Sequence, residues 1–313
     1  MTGGLGFGRI ITECRYESLR PTHGQGRVTG KRRRAAEALG AKVYDLAVGA
    51  DVRSVRLAND LSVSYVEQGD RSGIPVLLLH AWGESKGSFD RLIPGLPSSL
   101  RFFAFDQRGH GGSDKPGVGY ELSDFAGDVE AFMDAVAIES AVVLGSSSGG
   151  YVAQQVAVQA GGRVGALVLV GAPLTLRRPA SFSDEVASLT DPIDPKWVRD
   201  SLTWFPRYQP IPDWYLEDRI ADGLLMPARV WKGALSGLAS ATPPTELGTI
   251  TSPTLIIWGA RDELLSRGDQ EGLVAAIPNS RLSVYGETGH MVLWEQPEKV
   301  GMDLVRFIEE QRR

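Results

Sequence analysis

Along this chain, short unbroken apolar runs alternate with segments whose apolar positions recur every three or four residues. Residues 75–79 (Pro-Val-Leu-Leu-Leu), 102–105 (Phe-Phe-Ala-Phe), 141–144 (Ala-Val-Val-Leu), 166–170 (Ala-Leu-Val-Leu-Val) and 254–258 (Thr-Leu-Ile-Ile-Trp) are nearly continuous in apolar character. That is the pattern of parallel strands covered on both faces. Ahead of them, residues 55–58 and 61–66 alternate apolar and polar around Asn59-Asp60, which predicts an antiparallel hairpin at a sheet edge. Leu122, Phe125, Ala126, Val129, Phe132, Met133 and Val136 fall on one face of a helix. Near the end, Pro297 suits a first helical turn, and Val300, Leu304, Phe307 and Ile308 line one side of a closing helix. Strands alternating with helices predict an α/β fold with a doubly wound, mostly parallel sheet.

Two stretches break this rhythm. Residues 173–246 hold ten of the eighteen prolines and four of the seven tryptophans, with no convincing buried strand. A strandless segment of that length is too long for a connecting loop, so it predicts an inserted helical cap over a core made of residues 51–172 and 247–313. A cap rich in aromatic residues implies a covered apolar pocket. Residues 1–50 are glycine-rich and then basic at Lys31-Arg-Arg-Arg34. They read as an irregular N-terminal extension whose charges are simply solvated.

Composition narrows the partners. A chain of 313 residues with 42% hydrophobic and 23% charged residues buries a real core. Its net charge of −5 gives no support for nucleic-acid binding and points to a small-molecule partner. The single cysteine, Cys14, rules out an intramolecular disulfide and a cysteine-rich metal site. No stretch approaches the roughly 18 apolar residues of a membrane helix, and the first 30 residues contain no apolar run suited to a signal-peptide core. A cytoplasmic protein without membrane association is the expectation. Oligomeric state is not legible at this level.

Candidate chemistry centres on residues 142–155, where Gly145-Ser-Ser-Ser-Gly-Gly150 lies between a buried run and a small-residue helix. Parallel sheets place ligands at the carboxyl ends of their strands, and this segment is such an end. A nucleophile elbow needs small residues two before and two after its serine, so that strand and helix can approach. Ser147 alone of the three serines has glycine at both places, Gly145 and Gly149. The bland alternative is a turn whose serine caps the helix. A serine hydroxyl needs a base, and the base needs a carboxylate to orient it. In a hydrolase of this topology the chain order is serine, acid, histidine. Of four histidines only His290 follows the serine; His23, His80 and His110 precede it. Asp262, just past the 254–258 run, is the expected carboxylate, with Glu263 beside it as a solvated turn acid. The expected oxyanion donors are the backbone N–H groups of Ser148, at the helix start, and Trp82, in the loop after residues 75–79. Trp82, Trp204, Trp214 and Trp231 are the candidate pocket residues. Nothing calls for a metal or an organic cofactor.

Five motifs in order carry a family resemblance: Leu79-His-Ala-Trp-Gly83, Phe105-Asp-Gln-Arg-Gly-His-Gly-Gly-Ser113, Gly145-Ser-Ser-Ser-Gly-Gly150, Trp258-Gly-Ala-Arg-Asp262 and Gly289-His-Met-Val-Leu-Trp-Glu-Gln-Pro-Glu298. Over roughly residues 52–313 the chain resembles the α/β-hydrolase superfamily, and within it the capped serine esterase and haloperoxidase-like branch. The resemblance implies an eight-stranded sheet with an inserted helical cap. It also implies scaffold roles for Asp106 and His110. It departs from the family at His80-Ala81, where His-Gly is usual. The activity it implies is hydrolysis of a small or medium carboxylic ester or lactone through an acyl-enzyme. Two alternatives share the fold: a carbon–carbon bond hydrolase of aromatic degradation, suggested by Trp294 four residues after His290, and a ligand sensor that turns nothing over.

Overall fold

A strand that is apolar at every position must bury both faces, because successive side chains point to opposite sides of the sheet. The computed structural model, which describes residues 51–177 and 181–312, meets this demand. The expected N-terminal extension, residues 1–50, lies outside the described residues. Eight strands form one sheet: β1 (Val52–Arg56), β2 (Ser62–Gln68), β3 (Ile74–Leu79), β4 (Leu100–Phe105), β5 (Ala141–Ser146), β6 (Val164–Val170), β7 (Thr254–Gly259) and β8 (Ser280–Tyr285). They are ordered β1-β2-β4-β3-β5-β6-β7-β8. The β1–β2 and β2–β4 pairings are antiparallel and the rest are parallel.

Alternate residues of the central strands enter two separate cores. Leu77, Leu79, Phe103, Phe105 and Val143 face one, and Val76, Leu78, Phe102, Ala104, Val142 and Leu144 face the other. Helix α1 (Leu122–Ala135) covers the first face with Phe125, Val129, Phe132 and Met133, beside α2 (Ser148–Gln159). The closing helix, α10 in chain order (Pro297–Glu310), covers the second with Val300, Leu304, Phe307 and Ile308. Each such side chain taken fully out of water contributes roughly 1.5–3 kcal/mol, so the double layer fixes which strand ends lie together.

Between β6 and β7 the chain forms α3 (Ser183–Ser188), α4 (Pro195–Ser201), α5 (Asp213–Leu224), α6 (Ala228–Ser240) and α7 (Pro244–Leu247). Phe182, Val198, Trp231 and Leu238 of this insert join the first core. Helix α8 (Arg267–Ala276) links β7 to β8, and the short α9 (Val292–Glu295) precedes the closing helix. The strand order reverses beside β3, so the crevice at the carboxyl ends of β3 and β5 is the ligand position of such a sheet. Among the described residues no helix is long and apolar enough to cross a membrane.

Candidate active site

Strand β5 runs into α2 with a single residue, Ser147, as the corner. Its backbone has φ 48° and ψ −120°, a left-handed conformation that costs a non-glycine residue on the order of 1–3 kcal/mol. The surroundings hold it there: the Ser147 N–H donates to the Val170 carbonyl at 2.8 Å, and its own carbonyl accepts from Gly150 N–H at 2.8 Å. The flanking glycines explain themselves by proximity. A Cβ on Gly145 would lie 2.2 Å from the Gly149 carbonyl oxygen, and one on Gly149 would lie 2.3 Å from that of Leu79.

The corner aims the Ser147 hydroxyl at His290 Nε2, 2.9 Å away. His290 sits in the loop between β8 and α9, and its Nδ1 lies 2.9 Å from Asp262 Oδ2. The other carboxylate oxygen of Asp262 accepts from the N–H groups of Leu264 and Leu265, at 2.8 and 2.9 Å. A carboxylate can only accept, so Nδ1 carries a proton and Nε2 offers its lone pair to the serine. Asp262 rather than Glu263 fills this place: the Asp262 side chain is fully buried, whereas Glu263 accepts from the Tyr208 hydroxyl at 3.0 Å on the exposed side. Such a chain of serine, imidazole and carboxylate can pass a proton from the hydroxyl to the imidazole as the oxygen attacks an electrophilic carbon.

The other two described histidines do something else. His80 donates from Nδ1 to the Ala81 carbonyl (2.8 Å) and accepts at Nε2 from the Gln107 N–H (3.0 Å). His110 donates to the Arg108 carbonyl at 2.8 Å. Burial above all lowers them to about 4 and about 3 respectively, so both stay neutral struts under the loop after β3. Asp106 accepts from the backbone N–H and the ammonium of buried Lys86, at 2.7 and 2.6 Å, a scaffold role.

The expected oxyanion donors lie beside Ser147, but not both are open. Ser148 begins α2, where amides have no intrahelical acceptor. The Trp82 N–H, by contrast, donates to Ser148 Oγ at 2.7 Å.

Above the serine the insert and the core enclose a cavity of about 110 Å³. Trp82, Trp204 and Trp231 line it as expected, and Phe182, Phe205 and Trp294 line it as well. Phe182 stacks on Trp204 with centroids 4.5 Å apart, and Phe205 lies 5.0 Å from the His290 ring. Trp214 does not line the cavity. Its neighbour on α5, Tyr215, does not line the cavity either and is fully buried in the second core. Trp214 packs against that same core while staying partly exposed. One corner of the cavity is polar, with Glu84 and Arg219. Burial pushes the Glu84 carboxyl up, and the Ser88 hydroxyl donates to it, while Arg219 is paired with Asp222 at 2.9 Å. Phe182 and Phe205 escape a reading by residue type, because only the fold of the insert brings them over Ser147. Trp294 carried a signal in its spacing from His290.

Comparison with known proteins bears on the fold. A family model for the α/β hydrolase fold matches residues 74–217 and 215–297. The chain is 27% identical over 277 residues to the non-heme chloroperoxidase of Streptomyces lividans, covering 82% of this chain and 99% of that protein. Among solved structures, a hydrolase from Pseudomonas aeruginosa superposes with a TM-score of 0.74 at 26% identity, covering 83% of this chain and 99% of the other. A meta-cleavage product hydrolase from Pseudomonas fluorescens gives 0.69 at 25% identity, covering 85% and 99%.

Proposed function

The chain belongs to the α/β-hydrolase fold family, and from that premise we propose that it hydrolyses a small or medium carboxylic ester or lactone with Ser147 as nucleophile. The observation that carries this reading is the unbroken line of hydrogen bonds from Ser147 through His290 to Asp262, each 2.9 Å. Ser147 Oγ attacks the ester carbonyl as His290 Nε2 takes its proton. The imidazolium, steadied by Asp262, returns that proton to the departing alcohol oxygen. A water then enters, loses a proton to His290, and attacks the acyl carbon. Collapse frees the acid and restores the serine hydroxyl. The Ser148 N–H faces the developing oxyanion.

The insert serves as a cap, and the aromatic lining of its cavity suits an apolar acyl or alcohol group, with expulsion of water as the driving force. The reading is tested by hydrolysis of p-nitrophenyl acetate. Ser147→Ala abolishes turnover, and fluorophosphonate labels the wild-type chain once and the variant not at all. An unchanged rate in the variant refutes it. One labelling event with less than one equivalent of ester turned over marks a sensor instead.

Two observations favour a second reading, carbon–carbon bond hydrolysis: Trp294 lies in the cavity wall, and a meta-cleavage product hydrolase is among the similar structures. Against it stands Ser146, at the position before the nucleophile where carbon–carbon bond hydrolases of this fold favour asparagine. Turnover of a 2-hydroxy-6-oxo-dienoate faster than any simple ester would favour this second reaction.

A further inference from the structure

The Trp82 N–H, the expected second oxyanion donor, is already given to Ser148 Oγ at 2.7 Å. A serine hydroxyl has one proton to give and two lone pairs to fill. Here one lone pair is filled by Trp82, and the proton meets no acceptor within hydrogen-bonding distance among the described residues. Ser148 also lines the cavity that holds Ser147 and His290. A hydroxyl that accepts an N–H bond becomes a stronger donor through polarisation. Turning about the Cβ–Oγ bond re-aims its proton without moving the oxygen from Trp82.

We propose that the Ser148 hydroxyl is the second donor of the oxyanion hole, with the Trp82 N–H behind it as its support. This rests on the reading of Ser147 as nucleophile. Ser148 then contributes two donors, its backbone N–H and its side-chain O–H, to the same developing negative charge. No covalent bond to Ser148 forms or breaks; the hydroxyl keeps its proton and shares it with the carbonyl oxygen as that oxygen gains charge. An oxyanion hole assembled this way depends on a side chain that mutagenesis can reach.

A competing destination for the proton exists. Ser148 also lines a smaller cavity with Gln107 and His110, where Gln107 Oε1 and His110 Nε2 are buried without a partner. A hydroxyl committed to that side is structural only. Two pairs of proteins separate the roles: wild type against Ser148→Ala, and Ser148→Thr against Ser148→Val, the second pair matched in shape and differing in the hydroxyl. The concentration of competent sites in each is titrated with fluorophosphonate, so that a poorly folding variant is still compared per site.

The expected result is a loss of about a hundredfold in kcat for Ala against wild type and for Val against Thr, with KM nearly unchanged. Affinity for a trifluoromethyl ketone, which forms an oxyanion on Ser147, falls by a similar factor. Unchanged or raised kcat in both hydroxyl-free variants, with only a lowered melting temperature, overturns the proposal and assigns the hydroxyl to the smaller cavity. Failure of the underlying reading is a separate result, seen as ester turnover that survives in Ser147→Ala.

Discussion

Glu295 offers a sharp test of how the insert is tied to the imidazole. Its carboxylate is buried, at 5% exposure, and accepts three backbone N–H groups: Gly289 on Oε1 at 2.9 Å, and Tyr208 and Gln209 on Oε2 at 2.8 and 2.9 Å. Gly289 precedes His290, and a Cβ there would lie 2.5 Å from the Pro206 carbonyl oxygen. One side chain therefore fastens the strap 206–209 of the insert onto the histidine loop. Glu295→Gln preserves shape but makes one side a donor. With the amide oxygen toward the strap, the Gly289 N–H faces an NH₂ group and the other two bonds lose their charge assistance. An unsatisfied buried donor costs about 1–3 kcal/mol and a neutral acceptor about 1 kcal/mol less per bond than a charged one, partly offset by removing a buried charge. The expected net loss is about 2–4 kcal/mol, or roughly 5–10 °C in melting temperature for a domain of this size. Because Phe205, next to the strap, lies against His290, KM should rise along with the fall in stability. Urea unfolding and ester kinetics on the same preparation measure both. A variant within about 0.5 kcal/mol of wild type and with unchanged KM refutes the tie.

Acid should weaken the fold through the buried imidazoles. His80 and His110 are lowered from 6.5 to about 4 and about 3, so below pH 6.5 the unfolded chain binds protons that the folded chain refuses. Stability therefore falls as pH drops from about 6.5 toward 4, by about 1.4 kcal/mol per pH unit for each group. His80 alone accounts for on the order of 3 kcal/mol, and equal urea midpoints at pH 7 and pH 4.5 would exclude the effect. At the elbow, Gly145→Ala places a Cβ 2.2 Å from a backbone oxygen that cannot swing away, so strand and helix must separate. Loss of more than about 3 kcal/mol together with ester turnover is expected, and a stable, active variant would show that the elbow has slack.

The parts of the site readable in advance are those where backbone geometry leaves few residue types. Strand and helix approach so closely around Ser147 that only glycine fits two positions to either side, and the sequence shows that restriction directly. His290 could be nominated because the chain order of a hydrolase on this sheet leaves one histidine after the serine, whereas that order leaves two neighbouring strand-end acids, Asp262 and Glu263, of which Asp262 reaches the imidazole. Strand β8 had no such mark, since Ser280-Arg-Leu-Ser-Val-Tyr285 is an edge strand with most positions partly exposed, and its apolar content is too low to form a run. The aromatic lining was legible as a class of residue but not as a set of positions, because the packing of the insert decides which rings face the cavity: Phe182 and Phe205 line it, while Trp214 and Tyr215 both go to the second core.

Ser148 shows where the boundary falls. Backbone spacing selects Ser147 from three neighbouring serines, yet spacing is silent on where the hydroxyl of the next residue points. That depends on the loop after β3, which the neutral, buried His80 and His110 support from below and which delivers the Trp82 N–H to Ser148 Oγ. Glycine at residue 148 would leave the spacing of the elbow intact while removing that hydroxyl. The corner serine is thus specified by steric exclusion along the chain, whereas the polar groups around it are specified by contacts between elements far apart in sequence. The second kind of specification can be altered one side chain at a time without disturbing the first, which is why the Ser148 variants can report on the oxyanion hole in a molecule whose elbow is unchanged.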